Sequence, residues 1–278
     1  MFRGAMEEIM KAGDTANAPV EGDYIGDDGL WYCGKCHTKK QTEIELPWGV
    51  KRPMCLCKCE SERIKREDAE RKRREFAAIV EKNRRAGFAD YEMSKWTFAN
   101  DDGESPKLTA AMQRYVDNFA DMERHGKGLL LYGSCGTGKT YAACEVANAL
   151  IDRGVTVLVT NFARLINDLQ GNFERQAYID GLNYYRLLVI DDLGVERNTE
   201  YAKEQVYNII DGRYRAGLPM IITTNLSMDK MSKPDDMDNL RIYDRILERC
   251  YPIKVDGVSR RKKAVMADYA SMRDMLGL

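Results

Sequence analysis

The chain has 278 residues, of which 44% are hydrophobic and 31% charged, and its net charge is −1. That is enough apolar material for one or two cores, and the charge balance excludes a global pull toward nucleic acid or an anionic membrane. No run of about 18 apolar residues occurs to span a membrane, and residues Met1 to Asp14 lack the apolar centre of a secretion signal.

In chain order, residues 1–30 are rich in Gly, Asp and Ala without periodicity and read as a flexible tail. Residues 31–59 hold five of the eight cysteines. Cys33-Gly-Lys-Cys36 is a C-x-x-C knuckle, and Cys55-Leu-Cys57-Lys-Cys59 follows after 18 residues. Thiol pairs at this separation, in a chain without a secretion signal, point to a structural Zn²⁺ site rather than disulfides. Five sulfurs compete for four places: Cys33 and Cys36, with two of Cys55, Cys57 and Cys59. Trp31, Tyr32, Ile44, Leu46 and Trp48 would cover such a site, while Lys35, Lys39, Lys40, Lys51 and Arg52 keep a DNA-gripping ribbon open.

Residues 60–86 alternate Glu with Arg and Lys at helical spacing, which predicts an exposed linker helix ended by Gly87. The boundary of the next domain, 87–278, is placed there, and from Lys127 onward its pattern becomes α/β. Short apolar runs at Leu129–Tyr132, Val155–Thr160, Leu187–Ile190, Met220–Thr224 and Ile253–Val255 predict strands. Amphipathic stretches at 139–152, 162–173, 201–216 and 238–249 predict helices that cover both faces of a central parallel sheet.

One loop carries the strongest chemical signal. Gly133-Ser134-Cys135-Gly136-Thr137-Gly138-Lys139-Thr140, then Tyr141, lies between a predicted strand and a predicted helix. This is G-x-x-x-x-G-K-[ST] in its required setting: backbone N–H groups and a helix N-terminus cradle phosphates. Lys139 would reach the β and γ phosphates of ATP, or the β phosphate of ADP, and Thr140 would ligate Mg²⁺. The apolar run ending in Asp191-Asp192 supplies the metal's second anchor, with Asp191 toward Mg²⁺ and Asp192 orienting or deprotonating the attacking water. A strand ending at Thr224, if it lay between the other two, would put Asn225 beside the γ-phosphate.

With these residues in view, the chain resembles the bacterial and phage replicative-helicase loaders of the DnaC/DnaI type and the related IstB-type transposition ATPases. The resemblance is carried by Tyr185-Arg-Leu-Leu-Val-Ile-Asp-Asp-Leu-Gly194, Tyr207-Asn-Ile-Ile-Asp-Gly-Arg-Tyr214, Pro219-Met-Ile-Ile-Thr-Thr-Asn-Leu226 and Tyr243-Asp-Arg-Ile-Leu-Glu-Arg249, and it covers about residues 88 to 263. It implies a P-loop AAA+ ATPase core with a truncated lid, since 18 residues follow Arg260. It gives Asn225 the sensor 1 place and Arg260 the sensor 2 place. It makes Arg245, with Arg249 as second candidate, an arginine finger for a neighbouring subunit. It further implies self-association through the ATPase domain, binding of a hexameric replicative helicase through the N-terminal region, and contact with single-stranded DNA. Phe162, Arg164, Arg197, Thr199 and Tyr201 would face that DNA. The setting implied is the bacterial cytoplasm, encoded by host, phage or prophage. An adaptor ATPase for a transposase, and a zinc-dependent single-stranded DNA-binding ATPase, remain as alternatives.

Overall fold

The computed structural model describes residues 2–171, 173–194, 199–234 and 236–260, with isolated positions beyond. The chain forms two compact units, Met1–Phe76 and Ala77–Leu278.

The first unit opens with helix α1 (Phe2–Ala16). Two antiparallel ribbons follow, β1 (Tyr24–Ile25) with β2 (Trp31–Tyr32) and β3 (Ile44–Leu46) with β4 (Gly49–Lys51). Residues 1–30, expected to be a loose tail, are thus largely structured. Side-chain hydrogen bonds, which have no periodicity, tie this segment down. Asp14 accepts from the Met54 N–H at 2.6 Å, and Asp23 accepts from Gly34 N–H at 3.1 Å and from Lys40 Nζ at 2.6 Å.

Helix α2 (Lys58–Gly87) carries the charged linker pattern as ion pairs one turn apart, such as Arg63 with Glu67 and Arg85 with Glu81. The division between the units falls inside this helix, after Phe76, and not at Gly87. Its last turns are part of the second unit. Asn83 donates to the carbonyls of Gly154 and Val155, and Arg84 pairs with Asp152.

The second unit continues with α3 (Pro106–Asp117), α4 (Phe119–Arg124), β5 (Gly128–Tyr132), α5 (Lys139–Asp152), β6 (Val157–Asn161), α6 (Phe162–Gln170) and α7 (Arg175–Leu182). It ends with β7 (Leu187–Leu193), α8 (Glu200–Ala216), β8 (Met220–Thr224), α9 (Met228–Ser232), α10 (Met237–Arg249) and β9 (Cys250–Lys254). The strands form one parallel sheet in the order β6-β7-β8-β5-β9. Alternate residues face opposite sides, as the period of a strand requires. Leu129, Leu131, Val157, Val159, Leu187 and Val189 pack with α3 and α5, whereas Leu130, Leu188, Ile190 and Ile222 pack with α6, α8 and α10. This order sets β8 between β5 and β7, so the loops after all three emerge side by side at the sheet's C-terminal edge. Among the described residues no helix is long and apolar enough to cross a membrane.

Candidate nucleotide site and cysteine centre

The loop after β5 wraps the N-terminus of α5. Gly136 and Gly138 adopt φ of 81° and 96°, a left-handed conformation that favours glycine, and a Cβ on Gly136 would lie 2.2 Å from Ser259 Oγ. Lys139 is buried, and its Nζ donates to the carbonyls of Gly133 and Ser134 at 3.0 and 2.8 Å and to Asn225 Oδ1 at 2.8 Å. The strand order therefore joins the loop lysine to Asn225. Thr140 Oγ1 donates to Asp191 Oδ1 at 2.9 Å, and the hydroxyl of Thr223 binds the same oxygen. Burial raises the Asp191 carboxyl above the ordinary range, and the two hydroxyls oppose that rise. At Asp192 the strand bulges: its φ is 58°, and its N–H donates to Thr223 Oγ1 at 3.1 Å. The exposed Asp192 side chain lines a cavity of about 470 Å³ with Cys135, Lys139, Thr140, Tyr141, Asn225 and Arg260.

Three residues of this cavity carry no motif and were not foreseen: Trp96, Asn100 and Asp102. The Trp96 and Tyr141 rings stack with centroids 5.7 Å apart. Asn148 holds the backbone in place there, donating to the carbonyls of Met93 and Trp96. The only sequence signal was an aromatic residue in a polar stretch upstream of the loop.

Arg245 lies apart from this chain's own cavity. Its Nε is 2.7 Å from Asp211 Oδ1, and its guanidinium stands over the rings of Tyr207 and Tyr214, with centroids at 4.7 and 5.7 Å. Arg249 stacks on Tyr214 at 4.7 Å.

The residues expected to meet DNA divide. Phe162 is fully buried and is corrected here to a core residue: with Leu165, Ile166 and Leu169 it makes the i, i+3, i+4, i+7 stripe by which α6 packs on the sheet. Arg164 donates to the Ala89 carbonyl at 2.9 Å, and Thr199 caps α8 by accepting from the Ala202 N–H at 3.2 Å. Tyr201 is half-buried, with Arg175 over its ring at 5.5 Å. Arg197 lies outside the described residues. Phe173, which follows α6, is fully exposed.

In the first unit Cys33, Cys36, Cys57 and Cys59 bring their sulfurs within 4.8 Å of one another. A tetrahedral site with Zn–S of about 2.3 Å separates its sulfurs by about 3.8 Å, and Cys33 to Cys59 is 3.7 Å. The four thiols thus fit a soft, tetrahedral metal ion. Cys55 stands outside: its Sγ faces the Lys39 carbonyl at 3.8 Å, and burial pushes its thiol up. His37 is also outside, with Nδ1 3.3 Å from the Tyr24 hydroxyl. Within the cluster the Thr38 hydroxyl and backbone N–H groups hold the Cys36 thiol down at about 5, so it readily offers the thiolate a metal needs.

The family model of the IstB-like ATP-binding proteins matches residues 57–267. The chain belongs to this family. Among relatives of the family, the replicative helicase loader DnaI of Bacillus subtilis is 27% identical over 180 residues, 59% of this chain and 58% of that protein. The replicative helicase loader DnaC of Escherichia coli K12 is 29% identical over 150 residues, 52% of this chain and 58% of that protein. An insertion-sequence ATP-binding protein of Mycobacterium tuberculosis is 29% identical over 197 residues, 69% of this chain and 76% of its own length. The match thus spans under two thirds of the two loaders. The crystal structure of DnaI superposes with a TM-score of 0.51 and 27% identity, covering 61% of this chain and 96% of that structure. The second unit therefore has the AAA+ fold that the resemblance implied.

Proposed function

We propose that this IstB-family protein loads a replicative DNA helicase onto single-stranded DNA and that ATP hydrolysis governs its assembly and release. The observation that carries this reading is the convergence of Lys139, Thr140, Asp191 and Asn225 at one edge of an AAA+ sheet. The named loaders among the relatives supply the biological setting.

In this reading the loop N–H groups and Lys139 bind the β and γ phosphates. Thr140 and Asp191, a hydroxyl and a carboxylate 2.9 Å apart, suit a hard Mg²⁺ ion, which would neutralise charge on the transferring phosphoryl group. Asp192, exposed at the cavity wall, orients the attacking water or accepts its proton. Asn225 holds that water near the γ-phosphate. Arg260 acts at the chain's own nucleotide and Arg245 at a neighbour's. The four-cysteine centre holds Zn²⁺ and shapes a head with exposed Val20, Tyr24 and Ile25, a surface suited to a helicase partner. On the DNA side, exposed Phe173 offers the ring that buried Phe162 cannot.

Affinity capture with the full-length chain tests the proposal. Recovery of a hexameric helicase, lost in Cys57→Ser, is expected. Recovery of a transposase instead would establish the second reading, favoured by the longer coverage of the insertion-sequence relative.

A further inference from the structure

Arg260 lies across the mouth of the phosphate loop. Its backbone N–H donates to the Gly136 carbonyl at 2.8 Å, and its Cζ is 3.0 Å from where a Cβ on Gly138 would sit. The guanidinium is thus set against the N-terminus of α5, the place that favours an anion. Behind it stand carboxylates that a phosphate loop does not require. Nη1 is 3.2 Å from Asp102 Oδ1 and 3.8 Å from Asp101 Oδ1, and Nη2 donates to Ser105 Oγ at 3.2 Å.

The two aspartates are not equivalent. Asp101 has 9% of its side chain exposed, and it already accepts from Thr109 Oγ1 at 2.7 Å. Asp102 is nearer to Arg260 and 44% exposed, so if it gave up the arginine it would face water at little cost. Asp102 also lines the same cavity as Lys139 and Thr140. A terminal phosphate bound there and the Asp102 carboxylate would seek the same guanidinium.

We propose that Asp102 is a positioning residue that competes with the nucleotide for Arg260. It parks the guanidinium at the cavity mouth, and a terminal phosphate takes it over. The takeover cuts the tie between the chain around Arg260 and the segment carrying Trp96, Asn100 and Asp102. Nucleotide occupancy is thereby passed to that segment. This inference rests on reading the cavity as the ATP site.

Calorimetric titration of the full-length chain with ATP and Mg²⁺ tests it. Loss of a half-exposed ion pair supports a change of about two- to fivefold. Asp102→Asn should therefore bind ATP about two- to fivefold more tightly than wild type, whereas damage to the fold would weaken binding. Asp102→Glu, which restores the charge, should return affinity to the wild-type range. Arg260→Ala should weaken binding, and adding Asp102→Asn to it should change nothing further. Unchanged or weaker binding by Asp102→Asn, with wild-type binding intact, would overturn the proposal alone. A wild-type chain that bound no ATP would instead overturn the site reading beneath it.

Discussion

Glu145 sits on α5 with 2% of its surface exposed and no hydrogen bond to Oε1. Burial first, then the nearby Asp101 and Asp102, raise its carboxyl to about 7, against the opposing pull of Arg260. The ordinary value for the unfolded chain is near 4.3. The folded state therefore holds this proton more tightly, and the group costs stability above the folded value. That cost fades as pH falls from about 7 and is gone below the unfolded value. Glu145→Gln should raise the unfolding free energy from urea melts at pH 8 by on the order of 1–3 kcal/mol, an advantage that shrinks below about pH 7 and is gone by about pH 4. Urea melts of both chains across that range provide the check; a constant offset would mean that the carboxyl is not titrating there. Arg245 gives a second prediction at this scale. Its partners are Asp211 and two tyrosine rings of its own chain. Arg245→Ala should cost about 1–2 kcal/mol in urea unfolding, together with a loss of ATP hydrolysis that grows with chain concentration. Hydrolysis unchanged at every concentration would remove the finger role and leave a strut.

Helices and strands were legible where apolar periodicity was strong. Residues 139–152 coincide with α5 and 220–224 with β8. The stripe Phe162, Leu165, Ile166, Leu169 shows the helical period in the sequence too, but it was not weighed against the DNA role that the resemblance gave Phe162, and burial decides for the core. Short elements escaped: α7 has eight residues and β1 two, too few to show a period. The ligand set of the cysteine centre escaped as well, because spacing alone cannot decide which sulfur of Cys55, Cys57 and Cys59 turns outward. Cys55→Ser should keep about one zinc per chain, and Cys57→Ser should lose it, by metal analysis after dialysis. Equal loss in both would return Cys55 to the ligands. Arg213 was equally silent in sequence, lying in the family-like run of α8. It is fully buried and donates to the carbonyls of Leu182, Tyr185, Arg186 and Pro219, which ties the entry to β7 to the entry to β8. Burial lowers its guanidinium to about 10, still charged near neutrality. Arg213→Met would leave four acceptors without their donor and should cost about 3 kcal/mol or more in urea unfolding.

For the whole molecule, the division at Phe76 separates two kinds of stability. The second unit buries two continuous apolar clusters on opposite faces of its sheet. The first has short ribbons, and its buried hydrophobics among the described residues are Leu30, Cys33 and Cys57, two of them thiols of the candidate metal centre. If the four cysteines hold a metal, a fold with so little apolar interior would depend on it, because the free energy of metal binding is then folding free energy. The second unit has its own two apolar clusters, and none of the four cysteines belongs to them. A strong zinc chelator should therefore abolish an early thermal transition and leave the later one in place. ATP should raise the later transition by mass action, whether or not chelator is present. Scanning calorimetry of the full-length chain, with chelator and ATP added separately and together, measures both effects. A single transition that moved with both additions would show that the two units fold as one, and the head would then be coupled to the nucleotide through the fold itself.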